Sequence, residues 1–509
     1  MNTQNVSNLF KSTIQEKGLL EIEIDSWNKI QERIVKTKIR IAIAQDNYLL
    51  YFLNGVVYRK LQQFINLNRE QIVDDSQNLE ILTNLDQIKY LQWLGEYREN
   101  KRKFGKWIAT WNMEVVKDVG GYYDNGLKQG LWNEPIKNYC SQSQVYERGI
   151  YFENQKRGSW IFLKENKRFG GGQYNNQGQK IGKWIELNDQ YNHLSQVTCK
   201  GEYKNGKRVG KWEYYMLQGE YKLIGVGIYQ EMQEESIKNG KWIELGDGFN
   251  LGSQVILIGN YSNGKKVGSW NFYWNDNERN ELKGGGLYDG SIKIGVWNEL
   301  INNFGSRQGQ SQIIYNGEYH NDKKVGSWNI LYQEFWEKNF QKIGGGFYND
   351  QGSIKIGNWI EVSENYGSKR GQSFVTYNGE YKNDQKVGRW DILYKYYNDG
   401  WKKEQIGGGQ YDLKCSFKIG MWIEVSDGFE MNMQVINKGY YQNGEKVGRW
   451  DILHREWGRE KFEKIGGGSY GEKGSFKIGE WIELVDGSIV SYKCEYKDSK
   501  ENTSIMIND

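Results

Sequence analysis

Apolar and polar residues alternate in a short pattern that returns fourteen times between Gly95 and Trp481. Each copy reads Gly-x-Tyr, a polar turn, and then Lys or Arg-x-Gly-x-Trp. Side chains on a strand alternate between its two faces, so each glycine shares a face with the aromatic residue two positions later. Asn-Gly pairs begin at Asn205, Asn263 and Asn443, and this dipeptide is a strong hairpin signal. The pattern therefore predicts a series of β-hairpins.

Successive copies alternate between two types, which we call odd and even. Odd copies have a short turn, whereas most even copies begin with a run of glycines and have a longer turn. One hairpin is too small to bury its own apolar face, so neighbouring copies must pack together. The predicted fold class is mainly β: an elongated, single-layer antiparallel β-meander of fourteen hairpin repeats, in seven odd/even pairs, with a small N-terminal helical segment.

The residues that define the repeat are the motif tyrosines, glycines and tryptophans. In four odd copies they are Tyr203, Gly210, Trp212, Tyr319, Gly326, Trp328, Tyr381, Gly388, Trp390, Tyr441, Gly448 and Trp450. Both glycines of a copy stand two residues before an aromatic residue. Because glycine lacks a Cβ, we expect both glycines to make room for a neighbouring ring.

Five glycine triplets precede the tyrosines of even copies, at 170–172, 284–286, 344–346, 407–409 and 466–468. A phosphate-binding loop needs its glycines between a strand and a helix, followed by Lys and Ser or Thr. Here a tyrosine and a hairpin follow instead. We therefore predict a structural role for the triplets.

Every even copy carries a glutamate two residues after its tryptophan and a lysine four residues before it. The glutamates are Glu134, Glu186, Glu244, Glu299, Glu361, Glu424 and Glu483, and the lysines are Lys128, Lys180, Lys238, Lys293, Lys355, Lys418 and Lys477. Cross-strand pairing, at about 0.2–1 kcal/mol per pair, accounts for the two rows. The alternative is a repeated binding face for a periodic partner. Seven equivalent carboxylates argue against one acid–base site.

Four further tryptophans, Trp274, Trp336, Trp401 and Trp457, follow the motif tryptophans of odd copies. They are either exposed binding anchors or a cover for the second face of the sheet. The candidate interaction surface combines the ladder residues with two of these tryptophans. It consists of Lys293, Glu299, Lys355, Glu361, Lys418, Glu424, Trp336 and Trp401.

Residues 1–90 lack the repeat. Apolar residues near helical spacing, including Leu50, Leu53, Val57 and Leu61, predict a mainly helical segment over 47–71. This segment is either a cap on the open edge of the first repeat strand or a docking or dimerisation element. The predicted domains are a mainly helical N-terminal cap or docking segment (1–90), the β-repeat array (91–498) and a flexible C-terminal tail (499–509).

Composition narrows the function. Sixty-eight Lys and Arg residues face 64 Asp and Glu residues, and this mixed charge does not require a nucleic-acid partner. Four dispersed cysteines without a CxxC pair argue against disulfides and zinc, and favour a reducing cytosol. Three histidines at unrelated repeat positions suggest no catalytic or metal site. We see no secretory signal and no apolar stretch long enough to span a bilayer. We expect no cofactor.

The repeat resembles the MORN repeat, in a variant with tryptophan in place of the second glycine, and is similar to large MORN-like families of ciliated protists. The resemblance covers Gly95 to Tyr496 and departs from the family in the even copies. It implies a non-enzymatic scaffold that binds protein partners through an extended surface, in the cytoplasm and at the cytoskeleton or cell cortex. The alternatives are an adaptor whose lysine rows bind acidic phospholipids and a regulatory arm of an enzyme system. Self-association through the ribbon ends is a further expectation.

Overall fold

The structure is a computed structural model. It describes residues 19–28, 33–43, 48–53, 56–62, 81–100, 102–233, 235–276, 279–302, 304–305, 311–334, 337–363, 366–367, 373–397, 401–426, 429–472, 476–484, 491–497 and 500–506. The chain divides into two compact units, Met1–Glu244 and Leu245–Asp509. Both are built mainly of antiparallel strands. Over the described ranges, no helix has the length and apolar character needed to cross a membrane.

The first unit opens with a four-stranded antiparallel sheet and one short helix. The elements are β1 (Leu19–Asn28), β2 (Arg33–Ile43), β3 (Tyr48–Leu53), β4 (Val56–Gln62) and α1 (Leu85–Tyr90). The strands pair in chain order, and their buried core includes Ile24, Ile39, Leu49 and Tyr51. The Asn84 side chain accepts a hydrogen bond from the Gln87 backbone N–H and so begins α1.

The prediction of a mainly helical segment over 47–71 is wrong for the residues described there. Residues 48–53 and 56–62 are strands β3 and β4, while 63–71 lie outside the described residues. The apolar spacing fitted both structures, but the segment is rich in Tyr, Phe and Val, which favour strands. The overlooked signal is the Asn-Gly pair at positions 54 and 55, between the two strands.

The first unit continues as a meander in which each strand pairs antiparallel with the next. Its strands are β5 (Leu91–Tyr97), β6 (Lys103–Trp111), β7 (Glu114–Asp124), β8 (Leu127–Pro135), β9 (Val145–Phe152), β10 (Gln155–Lys164), β11 (Lys167–Tyr174), β12 (Lys180–Leu187), β13 (Val197–Lys204), β14 (Lys207–Gln218), β15 (Glu220–Glu231) and β16 (Ser236–Leu245).

The second unit is a meander of the same kind. Its strands are β17 (Val255–Ser262), β18 (Lys265–Asp276), β19 (Arg279–Asp289), β20 (Ile292–Leu300), β21 (Ile313–His320), β22 (Lys323–Tyr332), β23 (Gln341–Tyr348), β24 (Lys355–Val362), β25 (Val375–Lys382), β26 (Gln385–Tyr397), β27 (Trp401–Tyr411), β28 (Lys418–Val425), β29 (Gln434–Gln442), β30 (Glu445–Arg455), β31 (Glu463–Tyr470), β32 (Lys477–Leu484), β33 (Ser491–Lys497) and β34 (Lys500–Met506).

The end of the chain differs from the sequence expectation. Residues 499–509 were expected to be a flexible tail, but Lys500–Met506 is a strand that pairs antiparallel with β33. Its Asn and Thr residues give no strong strand signal. The last repeat leaves an edge of unpaired backbone groups, and pairing of β34 with β33 satisfies them.

The first glycine of each copy is a seat for a tryptophan ring, as expected. A Cβ added to Gly379 would lie less than 3.0 Å from the ring of Trp390, closer than real Cβ contacts. All fourteen motif tryptophans have such a glycine beneath them, and each is at most 5% exposed. Motif tyrosines stand between the tryptophans as edge-to-face partners. Trp390 lies 5.3 Å from Tyr381 and 6.1 Å from Tyr411, measured between ring centroids.

The second glycine of each copy has a different role from the one expected. Gly388 has φ +64° and a Cβ there would meet nothing within 4 Å, so it makes no room for a ring. Gly388 lies at a bulge of β26. Asn378 pairs with Asp391 and Glu380 pairs with Val387, so three residues of β26 lie opposite one residue of β25. Glycine is needed for its left-handed backbone conformation.

The glycine triplets are structural, and each position is small for its own reason. The middle glycine, Gly408, has φ +131°, and a Cβ there would lie less than 3.0 Å from the carbonyl oxygen of Trp390. A Cβ on Gly407 would crowd the carbonyl oxygen of Ile423 on the other neighbouring strand. The third, Gly409, is the seat of the Trp422 ring.

Six buried aromatic residues in the segments that lead from even to odd copies form a feature that the motif did not reveal. They are Tyr139, Tyr191, Phe249, Phe304, Tyr366 and Phe429, each at most 6% exposed. In the second unit, hydrogen bonds join consecutive segments: Ser253 Oγ donates to the Phe304 carbonyl at 2.7 Å, and Ser311 Oγ donates to the Tyr366 carbonyl at 2.5 Å. Tyr139, Tyr191, Phe304, Tyr366 and Phe429 belong to buried clusters other than those of the motif tryptophans, so they add to the core.

Candidate interaction surface

The predicted glutamate and lysine rows form clusters on the face of the sheet that carries the motif tryptophans. In the cluster around Glu361, one carboxylate oxygen accepts a hydrogen bond from Lys355 Nζ at 2.5 Å and another from the hydroxyl of Tyr381 at 2.8 Å. The second oxygen lies 2.9 Å from Nζ of Lys386, a lysine of the following odd copy. A single carboxylate thus ties together two successive copies.

The same arrangement recurs around other even-copy glutamates. Glu299 binds Lys293, Lys324 and the Tyr319 hydroxyl; Glu424 binds Lys418, Lys446 and the Tyr441 hydroxyl; and Glu186 binds Lys180, Arg208 and the Tyr203 hydroxyl. Candidate residues Lys293, Glu299, Lys355, Glu361, Lys418 and Glu424 therefore pair within the chain. The sequence predicted Glu–Lys pairs across strands, but each even-copy lysine and its glutamate lie on the same strand. The cation that does pair across strands, and the tyrosine, were not predicted.

The lysines of these clusters also lie over the rings of the motif tryptophans and tyrosines. Lys355 Nζ lies 4.6 Å from the ring centroid of Trp359 and 4.8 Å from that of Tyr381. Lys386 Nζ lies 4.1 Å from the ring centroid of Trp390. A cation over an aromatic face contributes about 0.5–2 kcal/mol. The lysine row is therefore engaged by carboxylates and rings.

Charge pairing determines the ionisation of the cluster. Burial on its own would raise the pKa of Glu361, but hydrogen bonds and attraction from Lys355 and Lys386 outweigh it and hold the pKa below its ordinary value. The pKa of Tyr381 is raised, first by burial and then by the charge of Glu361. At neutral pH the site therefore contains an ionised carboxylate and a protonated phenol.

We expect acid to weaken the second unit through these carboxylates. A carboxyl whose folded-state pKa is lowered contributes its full stability above the unfolded-state pKa, about 4.3, and that contribution disappears as pH falls through the folded-state value. Urea unfolding between pH 2 and pH 7 should show a flat free energy of unfolding above pH 5 and a decline below it. Glu361→Gln should cost about 2 kcal/mol at pH 7, because two cations lose their counter-charge.

The control for this prediction is Glu380→Gln, which removes a carboxylate from an exposed position of the neighbouring strand. It should change stability by less than about 0.5 kcal/mol and leave the acid decline as it is in the unsubstituted chain. Glu361→Gln, Glu299→Gln and Glu424→Gln should each lose less stability in acid than the unsubstituted chain. If their stability declines as steeply, these carboxylates do not cause the loss.

The off-motif tryptophans have different environments. Trp274 is buried and packs edge-to-face on Phe304 at 5.9 Å between ring centroids, so it covers part of the sheet. Trp457 is 65% exposed. Trp401 begins β27, and Trp336 lies outside the described residues. The two tryptophans of the candidate surface therefore remain predictions.

The opposite face of the sheet exposes a set of large apolar side chains. We call the middle residues of all Gly-x-Tyr and Gly-x-Trp triplets the outer row, because their side chains point away from the tryptophans. Nine of them are large and apolar, and all nine are 47–66% exposed. They are Tyr122, Leu131, Ile150, Ile228, Leu287, Val296, Phe347, Met421 and Tyr440.

Among the described residues, two apolar pairs of the outer row lie directly opposite each other on adjacent strands. Leu131 of β8 pairs with Ile150 of β9 in the first unit, and Met421 of β28 pairs with Tyr440 of β29 in the second. Directly opposed side chains have Cβ atoms about 5 Å apart and form a continuous apolar surface. The repeat motif does not indicate this apolar surface, because the middle positions of the triplets vary between copies.

Within the described ranges, the other reactive groups do not gather into a site. No cluster of three His, Cys, Asp or Glu residues suited to hold a metal ion occurs in the part of the chain that the structure describes. Burial raises the pKa of the Cys199 thiol to about 12, so this thiol is protonated at neutral pH. His193 packs against the ring of Trp27 at 4.8 Å between centroids.

Comparison of the chain with models of protein families and with curated protein sequences finds no match in either set.

Proposed function

We propose that residues 91–498 are fourteen MORN-like hairpin repeats and that the chain is a non-enzymatic scaffold that binds a protein partner. The partner surface is the outer row. The observation that carries the proposal is the contrast between the two faces. On one face the fourteen motif tryptophans are at most 5% exposed and lie beneath cations, whereas on the other face nine large apolar side chains are at least 47% exposed.

Exposed apolar groups that lie next to one another favour burial in an interface, by roughly 25 cal/mol per Å² of apolar surface removed from water. The opposed pairs Leu131–Ile150 and Met421–Tyr440 concentrate such surface on neighbouring strands. The partner therefore presents an apolar strip to the sheet. Binding of acidic lipids through the lysine rows receives less support, because carboxylates and aromatic rings already engage Lys293, Lys355 and Lys418.

Photo-crosslinking tests this proposal in the full chain. A photoreactive phenylalanine analogue at Phe347 should capture a discrete set of partner proteins in cells, because Phe347 is 56% exposed in the outer row. Leu131→Glu with Ile150→Glu, or Met421→Glu with Tyr440→Glu, should reduce capture by about tenfold, since a charge buried in an apolar interface is costly. The readout is the yield of each crosslinked protein by mass spectrometry.

The matched control is Ser159→Glu with Gln173→Glu, which changes an opposed outer-row pair that is polar at the outset. Its capture should equal that of the unsubstituted chain, and circular dichroism should show that all variants are folded. Equal capture by the apolar-pair variants and the control would contradict the proposed surface. A hydrolytic or transfer activity retained by residues 95–509 would contradict the non-enzyme proposal.

A further inference from the structure

A charged groove on the outer face of the first unit is distinct from the apolar pairs. It crosses strands β11 to β14 and has a volume of about 510 Å³. Its charged lining consists of Arg168, Lys183, Lys200, Lys211, Glu202 and Glu213. Four cations face two carboxylates, so the groove carries a net charge of about +2 at neutral pH.

Half of the cationic charge of the groove is balanced by its own carboxylates, Glu202 and Glu213, which lie opposite Lys183 and Lys200 on the neighbouring strands. Lys211 pairs with Glu213, with 2.6 Å between Nζ and the carboxylate oxygen. Across the described ranges, no carboxylate lies within 4.0 Å of the charged nitrogens of Arg168, Lys183 or Lys200. This differs from the motif face, where every even-copy glutamate pairs with its own lysine. A cluster of unpaired cations favours an anionic ligand.

The repeat provides an internal comparison, because each group of four strands offers the same four positions. In β11 to β14 these positions are Arg168 (two before the glycine triplet), Lys183 (before the even tryptophan), Lys200 (before the first odd glycine) and Lys211 (before the odd tryptophan). The same positions hold Leu282, Val296, Asn316 and Ser327 in β19 to β22. They hold Lys342, Asn358, Asn378 and Arg389 in β23 to β26, and Gln405, Met421, Lys438 and Arg449 in β27 to β30. The backbone is shared, so repeat geometry does not require the four cations of β11 to β14.

We propose that this groove binds an extended acidic peptide segment of a partner protein. The inference deepens the proposed scaffold function and rests on it. The four cations come from four adjacent strands, and strands lie about 4.8 Å apart, so the charges spread over about 14 Å. That spread matches several carboxylates along an extended chain better than a single phosphate group.

Two further features of the groove favour a peptide. Glu202 projects among the cations, directly opposite Lys183 on the neighbouring strand, and would repel a dense polyphosphate. Ile185 also lines the groove and is 36% exposed, which gives an apolar side chain of the peptide a place to pack. An acidic segment with interspersed apolar residues satisfies both features.

Fluorescence anisotropy with the full chain tests the inference. The probe is a labelled decapeptide of alternating glutamate and valine, and its counterpart with glutamine in place of glutamate is the uncharged reference. The acidic probe should bind, and raising the salt from 50 mM to 300 mM should weaken it, as expected for charge pairing. Lys183→Glu with Lys200→Glu should weaken binding by about tenfold or more, because attraction becomes repulsion.

The matched control is Lys342→Glu with Lys438→Glu, which makes the same change in net charge at two exposed positions of the second unit, the repeat equivalents of Arg168 and Lys200. It should keep the affinity of the unsubstituted chain within about twofold. Equal loss in both variants, or equal binding of the glutamine peptide, would overturn the inference. The inference would also be overturned, in favour of a phosphate ligand, if tripolyphosphate or phosphatidylserine vesicles bound the chain more tightly than the acidic peptide does. In that case the groove variant, but not the control, should lose this binding. Failure of the groove leaves the crosslinking result at the apolar pairs unaffected, so the two proposals are tested separately.

Discussion

Gly379→Ala is expected to lower the free energy of unfolding by about 3 kcal/mol, which is at the upper end for overpacking a core. The added Cβ would lie less than 3.0 Å from the indole of Trp390, so the ring or the strand must move. The ring cannot move freely, because Tyr381 and Tyr411 contact it on either side. The measurement is urea unfolding of the full chain followed by tryptophan fluorescence.

Gly388→Ala is the matched control for this prediction, since it lies in the same copy. Its Cβ would meet nothing within 4 Å, but its φ of +64° is unfavourable for alanine, so we expect a cost of about 1 kcal/mol. If the two substitutions cost the same, the distinction between ring seat and bulge glycine is wrong.

Trp390→Ala should cost about 4 kcal/mol, as large-to-small substitutions of buried aromatic residues do. Trp390 is 2% exposed, and its Nε1 has no hydrogen-bond partner among the described residues, so the loss reflects packing and the cation over the ring. Removing the ring also takes away the nearer of two aromatic contacts of Lys386, whose Nζ lies 4.1 Å from the ring centroid of Trp390 and 5.8 Å from that of Tyr381. The free energy of unfolding from urea titration, with circular dichroism as the probe, checks this value.

Trp457→Ala serves as the comparison, because Trp457 is 65% exposed. It should change stability by less than about 0.5 kcal/mol. Similar losses for the two tryptophans would show that stability depends on aromatic content rather than on the row of seated rings.

The features that the sequence predicted correctly are local in the chain. Alternation with period two places Gly379 and Tyr381 on one face, and the glycine lies beneath the ring of Trp390 on the paired strand. Pairing of Lys355 with Glu361 was also predicted, but across strands, whereas both residues lie on one strand. The class of fold follows from these regularities, because each strand needs only its neighbour in the chain.

The features that were missed depend on backbone conformation or on distant contacts. The spacing of Gly388 from Trp390 is the same as that of Gly379 from Tyr381, but only the structure reveals the bulge and the positive φ. The ring of Phe304 packs on Trp274, and its carbonyl accepts a hydrogen bond from Ser253, which lies 51 positions earlier in the chain. No pattern within one copy reports such contacts.

The N-terminal error has a different cause. Apolar residues in 48–62 fit helical and strand spacing at once, and short apolar runs are ambiguous by periodicity alone. The apolar outer row was missed because it occupies the variable middle positions of the triplets. Its exposure becomes visible only when the tryptophans are placed on the other face.

The central claim is that each motif ring is packed on a bare glycine backbone, and the double-mutant cycle of Gly379→Ala and Trp390→Ala tests it most directly. If the claim holds, Gly379→Ala costs about 3 kcal/mol with the ring present but less than about 1 kcal/mol when Trp390 is alanine, a coupling of about 2 kcal/mol. If Gly379→Ala costs the same in both backgrounds, the glycine is required for another reason and the claim is contradicted.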